Sequence, residues 1–216
     1  MEPLAVVKRP AAVARDFVEL VFGYGFIVFV IWMPEYPQKL LSPVALVVTL
    51  AIVLARGQTR DELGFGLRGF VASLWILPTA LVVTVVSTAL SRHFGMLHTL
   101  YKADFKHVSG YVLWTIYQQF LLNDYFMPRL IRITGSERVS VSLAGVLFAA
   151  AHLPNLWLTV ATLAWGAIST ALFLRYRNIY ALGLAQGLLG LTFAVCVPEA
   201  LSHHLRVGLG YLRYRQ

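Results

Sequence analysis

Five polar side chains stand inside long apolar runs and are of types that can do chemistry. Gln118, Gln119 and Asn123 lie in the run from Tyr111 to Arg129; His152 closes Leu147-Phe148-Ala-Ala-Ala-His152; Gln186 sits in Gly183-Leu-Ala-Gln186-Gly-Leu-Leu-Gly190. Gln119 and Asn123 are four apart, about 40° on a helix, so they share a face and can hydrogen-bond. Gln118 lies about 100° further round. An amide donates and accepts hydrogen bonds but takes up no proton at working pH, so among these five only His152 can act as a base. Each also has a plainer role, since a polar residue inside an apolar helix commonly bonds a neighbouring helix for under ~2 kcal/mol.

Other titratable residues are fewer and less well placed. Asp124 is the one acid well inside an apolar run, and on a regular helix it points away from Gln118, with Tyr117. Glu199 and His203 are four apart in Pro198-Glu-Ala-Leu-Ser-His203-His204, which on a helix would give a base–orienter pair or two metal ligands. The same residues equally make an interfacial helix end with solvated charges. His93, His98 and His107 are spaced five and nine apart, which matches no helical ligand pair and fits a charge-mixed loop from Arg92 to Val108. The lone Cys196 excludes internal disulfides and Cys-based zinc motifs.

The elements that must position these groups follow from composition. Hydrophobic residues make up 58% of 216 residues and charged residues 13%, with a mean hydropathy of +0.70. A soluble chain of this size has too little interior to hide that much apolar surface, which excludes soluble enzymes, disulfide scaffolds and disordered chains. Spans are predicted at Phe17–Met33, Leu40–Leu54, Phe70–Leu90, Gly110–Ile131, Val141–Pro154, Leu156–Phe173 and Ile179–Leu201. The fold expected is an all-α, polytopic transmembrane helical bundle of about seven spans, six to eight being compatible with the runs, in a single domain over 1–216.

The net charge of +8 reads as loop charge beside lipid headgroups rather than a nucleic-acid footprint. With the N-terminus inside, eleven Lys and Arg fall on the inner side and seven on the outer, and no cleavage site follows the first apolar run.

On the order and types of these residues the chain resembles the CPBP family, the CAAX prenyl proteases and bacteriocin-processing (Abi) membrane proteins. Its signature is an acidic pair with an arginine four residues after the second acid, then Phe-x-x-x-His, then His-x-x-x-Asn or a close variant, on three successive core helices. Gln118-Gln119-Phe-Leu-Leu-Asn123 stands at the first position, with Pro128-Arg129-Leu130 after it. Phe148-Ala-Ala-Ala-His152 matches the second, the most specific of the three, and Leu184-Ala-Gln186-Gly-Leu-Leu-Gly190 stands at the third. The likeness covers residues 110–195.

The resemblance implies CPBP-like core helices and an intramembrane endopeptidase of metallo or glutamate type in a bacterial cytoplasmic membrane. In such enzymes a glutamate of the first motif activates water, histidines assist it and the last Asn stabilises an oxyanion. Carried over, Gln118, Gln119, Asn123, His152 and Gln186 are the site residues, and only His152 keeps the family's residue type. A single His cannot hold a catalytic zinc, which wants three protein ligands. Zinc would enter only if the C-terminal segment folds back to add Glu199 and His203 to His152, and no other cofactor is implied. The expected partners are membrane lipid and a hydrophobic or prenylated peptide, with no nucleic acid; nothing marks an oligomer interface. Two readings stay open, an intramembrane protease and a catalytically silent binding or scaffold protein using the same pocket. A small transporter is a weaker third, because no internal repeat appears.

Overall fold

The computed structural model describes residues 10–101 and 103–214. Lys8, Arg9, Lys102 and Arg215, which enter the charge asymmetry above, lie outside the described residues. The described residues form helices and turns, with no strand among them. In chain order the helices are α1 (Pro10–Ile31), α2 (Glu35–Leu54), α3 (Leu67–Ser73), α4 (Ile76–His93) and α5 (Phe105–Phe120). A widened π segment (Leu121–Phe126) leads into α6 (Met127–Thr134), and α7 (Glu137–Ala150), α8 (Leu156–Tyr176) and α9 (Ile179–Cys196) follow. The short α10 (Glu199–Ser202), a 3₁₀ turn (His203–Leu205) and α11 (Gly208–Leu212) close the chain.

Among the described residues four stretches are long and apolar enough to cross a membrane: Glu35–Leu54, Leu67–His93, Leu156–Tyr176 and Ile179–Cys196. The other three predicted spans are also helical, but each departs from a simple span. The first half of α1 carries Arg15, Asp16 and Glu19; the run Gly110–Ile131 passes through the π segment; α7 is 14 residues long and ends in the turn to Pro154. The last predicted span stops at Cys196, because Pro198 follows and cannot continue the helix. Outward faces of α2 and α4 expose Val47, Leu54, Val82 and Val85, an apolar surface suited to lipid tails.

Small residues set the closest approaches. A Cβ on Gly183 of α9 would fall 2.7 Å from the Ile116 backbone of α5, and one on Gly145 of α7 would fall 3.1 Å from the Ala167 backbone of α8. With no lipid-specific hydrophobic force between helices, such close packing is what holds them together. Thr115 Oγ1 adds a hydrogen bond to Gly183 O at 2.8 Å.

One end of the bundle is fastened by charge. Asp16 of α1 accepts from Arg56 at 2.8 Å and from Arg132 of α6 at 2.5 Å, while Glu19 accepts from Arg56 at 2.6 Å and from Arg129 at 2.6 and 2.9 Å. Arg129 is 1% exposed and lies over the Tyr125 ring at 4.0 Å; Tyr125 in turn donates to Glu19 O. Buried guanidinium groups persist only when paired in this way.

Candidate functional site

A cavity of about 500 Å³ opens between α1, α2, α5, α7, α8 and α9. Its walls are chiefly aromatic and aliphatic, with Tyr24, Trp114, Tyr117, Phe148 and Trp165 among them, and its polar side chains include Gln118, His152 and Gln186. No Asp, Glu, Lys or Arg lines it among the described residues.

The amides form one hydrogen-bonded chain. Asn123 Nδ2 donates to Gln119 Oε1 at 2.8 Å and to Gln119 O at 3.0 Å; Gln119 Nε2 donates to Gln186 Oε1 at 2.6 Å; Gln186 Nε2 donates to Gln118 Oε1 at 2.6 Å. Trp165 Nε1 also donates to Gln186 Oε1, at 3.1 Å. An indole N–H can only donate, so the Gln186 atom it meets is oxygen. That fixes nitrogen on Gln119 facing Gln186, oxygen on Gln119 facing Asn123, and oxygen on Gln118 facing Gln186. The chain therefore has a direction. It begins at Asn123 Oδ1, which is buried without a partner, and ends with the Gln118 amide nitrogen at the cavity. Gln119 and Asn123 are fully buried, and a lost partner inside such a network costs more than the bond itself gains.

His152 stands in the turn after α7. Its Nδ1 lies 2.7 Å from Phe148 O, and a carbonyl can only accept, so Nδ1 carries the proton and Nε2 keeps its lone pair in the neutral ring. Phe148 packs edge-on against the imidazole at 4.9 Å. The spacing Phe148-x-x-x-His152 thus has a local purpose, since the residue that orients the ring comes one turn earlier. Asn155 then caps α8 through Leu158 N and holds Ser202 O and Arg206 O, which ties the C-terminal segment to this corner.

The structure thus joins Gln118, Gln119, Asn123 and Gln186 directly and places His152 on the wall of the same cavity. Gln119 and Asn123 sit behind that wall rather than on it, and Asn123 lines a second cavity described below. Asp124 is buried in the π segment, with Oδ2 unpartnered, and does not line the first cavity.

The Glu199–His203 helix pair is corrected by the structure. The helix closes with the His203 N–H on Glu199 O, but His203, His204 and Leu205 all take positive φ, and the Glu199 and His203 side chains are not paired. Glu199 instead pairs with His204 Nε2 at 2.8 Å and accepts from the Tyr214 hydroxyl, while His203 packs its ring against Tyr211 at 4.3 Å. Among the described residues no three His, Cys, Asp or Glu side chains gather closely enough to hold a metal. The set His152, Glu199 and His203 is therefore not assembled for zinc, and no step is derived through one.

Sequence reasoning missed Trp165, which reads there as one more aromatic in an apolar run. Its position is set by α8, and only the pairing of α8 with α9 brings it to Gln186. It also missed Ser169, one turn further along α8, whose Oγ lies 3.4 Å from Gln119 Nε2.

Comparison with known proteins matches residues 19–192, well over half of the chain, to a family model described as type II CAAX prenyl endopeptidase Rce1-like. No curated protein and no solved structure matches.

Proposed function

The chain belongs to the Rce1-like family of type II CAAX prenyl endopeptidases, and from that premise we propose that its cavity receives a hydrophobic or prenylated peptide and holds it without hydrolysing it. The observation that carries this reading is the neutral amide chain at the polar end of a cavity with no carboxylate on its walls among the described residues. Peptide hydrolysis by activated water needs a base whose pKa lies near working pH. Neither Gln118 nor Gln119 takes up a proton, and their amides are committed to each other through Gln186. What the site offers is recognition. The aromatic walls suit an isoprenoid or apolar side chains, and the free Gln118 N–H group suits a peptide carbonyl.

The reading includes about seven crossings, with α1, α5 through α6, and α7 joining the four longer apolar stretches. It also includes an inward N-terminus in a bacterial cytoplasmic membrane, supported by the arginines gathered at one end of the bundle.

A second reading, proteolysis with His152 as base, is favoured by the His152 Nε2 lone pair on the cavity wall. One experiment separates the two. Detergent-purified protein is titrated with a fluorescent farnesylated peptide, and the peptide is then analysed by mass spectrometry. Saturable binding with the peptide intact is the expected outcome. Cleavage that disappears in His152→Ala would overturn the binding reading in favour of the second.

A further inference from the structure

A second cavity, of about 730 Å³, lies at the charged end of the bundle, among the α2–α3 connection, the start of α6 and the last turn of α8. Four arginines line it, Arg68, Arg132, Arg175 and Arg177, together with Asp61 and Glu62. Arg132 is already paired with Asp16. Among the described residues Arg68 makes no hydrogen bond or ion pair; Arg175 leans over Tyr176 and Arg177 over Phe173, each at 5.4 Å, and Arg177 also acts at longer range on Glu62 and Asp124. Among the described residues Asp61 has no ion pair either, and Glu62 accepts from Thr59 and feels the positive charge of Arg177 without a direct ion pair. Exposed charges of both signs therefore line one hollow with no direct ion pair across it among the described residues.

Asn123 adds the second observation. It lines the same cavity, is 0% exposed, and its Oδ1 is a buried acceptor with no donor. Its orientation is not free to change, because its Nδ2 donates to the Gln119 carbonyl and the Trp165 indole sets the other end of the amide chain. A buried acceptor left without a donor costs about 1–3 kcal/mol, so the site is built for something that donates.

We propose that this cavity binds the phosphoethanolamine headgroup of a membrane phospholipid. Arg68, Arg175 and Arg177 take the phosphate, as basic pockets at the interfacial ends of spanning helices do. The ammonium meets Asp61 and Glu62 and supplies the donor that Asn123 Oδ1 lacks. A purely anionic ligand leaves the two carboxylates facing like charge, and a choline headgroup has no N–H to give. The assignment does not depend on what the first cavity holds.

The test uses the full chain purified in detergent and titrated with dioctanoyl phosphatidylethanolamine, with phosphatidylcholine and phosphatidylglycerol of the same chain length, and with soluble phosphoethanolamine and inorganic phosphate. Binding is read by native mass spectrometry. One phosphatidylethanolamine per chain is expected, bound about tenfold or more tighter than phosphatidylcholine. Arg68→Gln with Arg177→Gln should weaken it about tenfold, and Asp61→Asn with Glu62→Gln should remove the preference over phosphatidylglycerol. These four side chains are exposed, and thermal melting of each variant separates lost binding from lost folding. Equal binding of phosphatidylethanolamine and phosphatidylcholine overturns the proposal, as does indifference to the arginine pair. Tighter phosphatidylglycerol binding would make it an anion site. Equal displacement by soluble phosphoethanolamine assigns the headgroup alone as ligand, and displacement by inorganic phosphate overturns the lipid assignment.

Discussion

Trp165 of α8 donates its indole N–H to Gln186 Oε1 of α9 at 3.1 Å, and this bond, like the one from Asn123 Nδ2 to the Gln119 carbonyl, cannot run in reverse. The links between side-chain amides would read equally well flipped, so these two bonds set the direction of the chain from its two ends. Trp165→Phe keeps most of the aromatic bulk but removes one of these two constraints and one hydrogen bond. The expected loss is about 1 kcal/mol, seen as a lower midpoint in thermal unfolding. Because the Gln119 carbonyl still holds Asn123 Nδ2, the chain keeps its direction, and binding of the farnesylated peptide through the Gln118 amide should change little.

Gly183 sets how closely α9 approaches α5, and with it the contact of Gln186 with Gln118 and Gln119. A Cβ there meets Ile116 backbone and side chain at 2.6–2.7 Å. Gly183→Ala should cost about 1–3 kcal/mol, as overpacking does. A Cβ on Gly187 meets only side chains near 3.2 Å and Val112 Cα at 3.7 Å, so Gly187→Ala should be milder. Comparing the melting midpoints of the two variants checks this order.

Arg129 is buried against Glu19, and removing one partner leaves the other carboxylate short of a cation. Arg129→Met is expected to cost about 2–4 kcal/mol, toward the lower end because Arg56 still holds Glu19. The double variant Arg129→Met with Glu19→Gln should recover part of that loss. A double variant no more stable than Arg129→Met alone would show that the cation–π contact with Tyr125, not the ion pair, carries the stability. Denaturant unfolding of the three proteins supplies the measurement.

Asp104 caps α5 from the loop outside the bundle. The backbone N–H of His107 donates to its carboxylate at 3.1 Å, and that bond, with the His107 ring beside it, holds the carboxyl below its ordinary value. A depressed carboxylate stabilises the fold above its unfolded pKa near 3.8, and that stabilisation is lost as pH falls through the lower folded value. The first turn of α5 should therefore loosen in acid. Hydrogen exchange of the His107 and Val108 amides would show it, and Asp104→Asn, which caps without titrating, should remove the pH dependence.

How far the sequence could be read depended on what each residue's position requires. Gln118, Gln119, Asn123, His152 and Gln186 were legible because polar groups are scarce in apolar runs, and the i, i+4 spacing alone joins Gln119 to Asn123. The helices were legible for the same reason, from the lengths of the runs. Helical phase served less well after Phe120, because the π segment widens the turn and sends Asn123 toward the second cavity. Glu199 and His203 failed as a pair because three residues in left-handed conformation break the helix between α10 and α11, and no pattern of residue types announces that. Arg68, Arg132, Arg175 and Arg177 read only as loop charges, since residues so far apart in sequence meet only through topology.

The contact between Gln119 Nε2 and Gln186 Oε1 also constrains the chain's mutational future. A glutamate at 119 would set oxygen against oxygen there, and Gln186 cannot turn its amide round while Trp165 donates to it. A glutamate at 118 meets no such conflict, because that position already presents an acceptor to Gln186 Nε2. Acidity can therefore enter this site by single substitution at 118, whereas at 119 it waits on a prior change at 165 or 186. Any lineage or directed-evolution campaign that moves the site toward an acidic pair has an order of steps imposed on it by one indole.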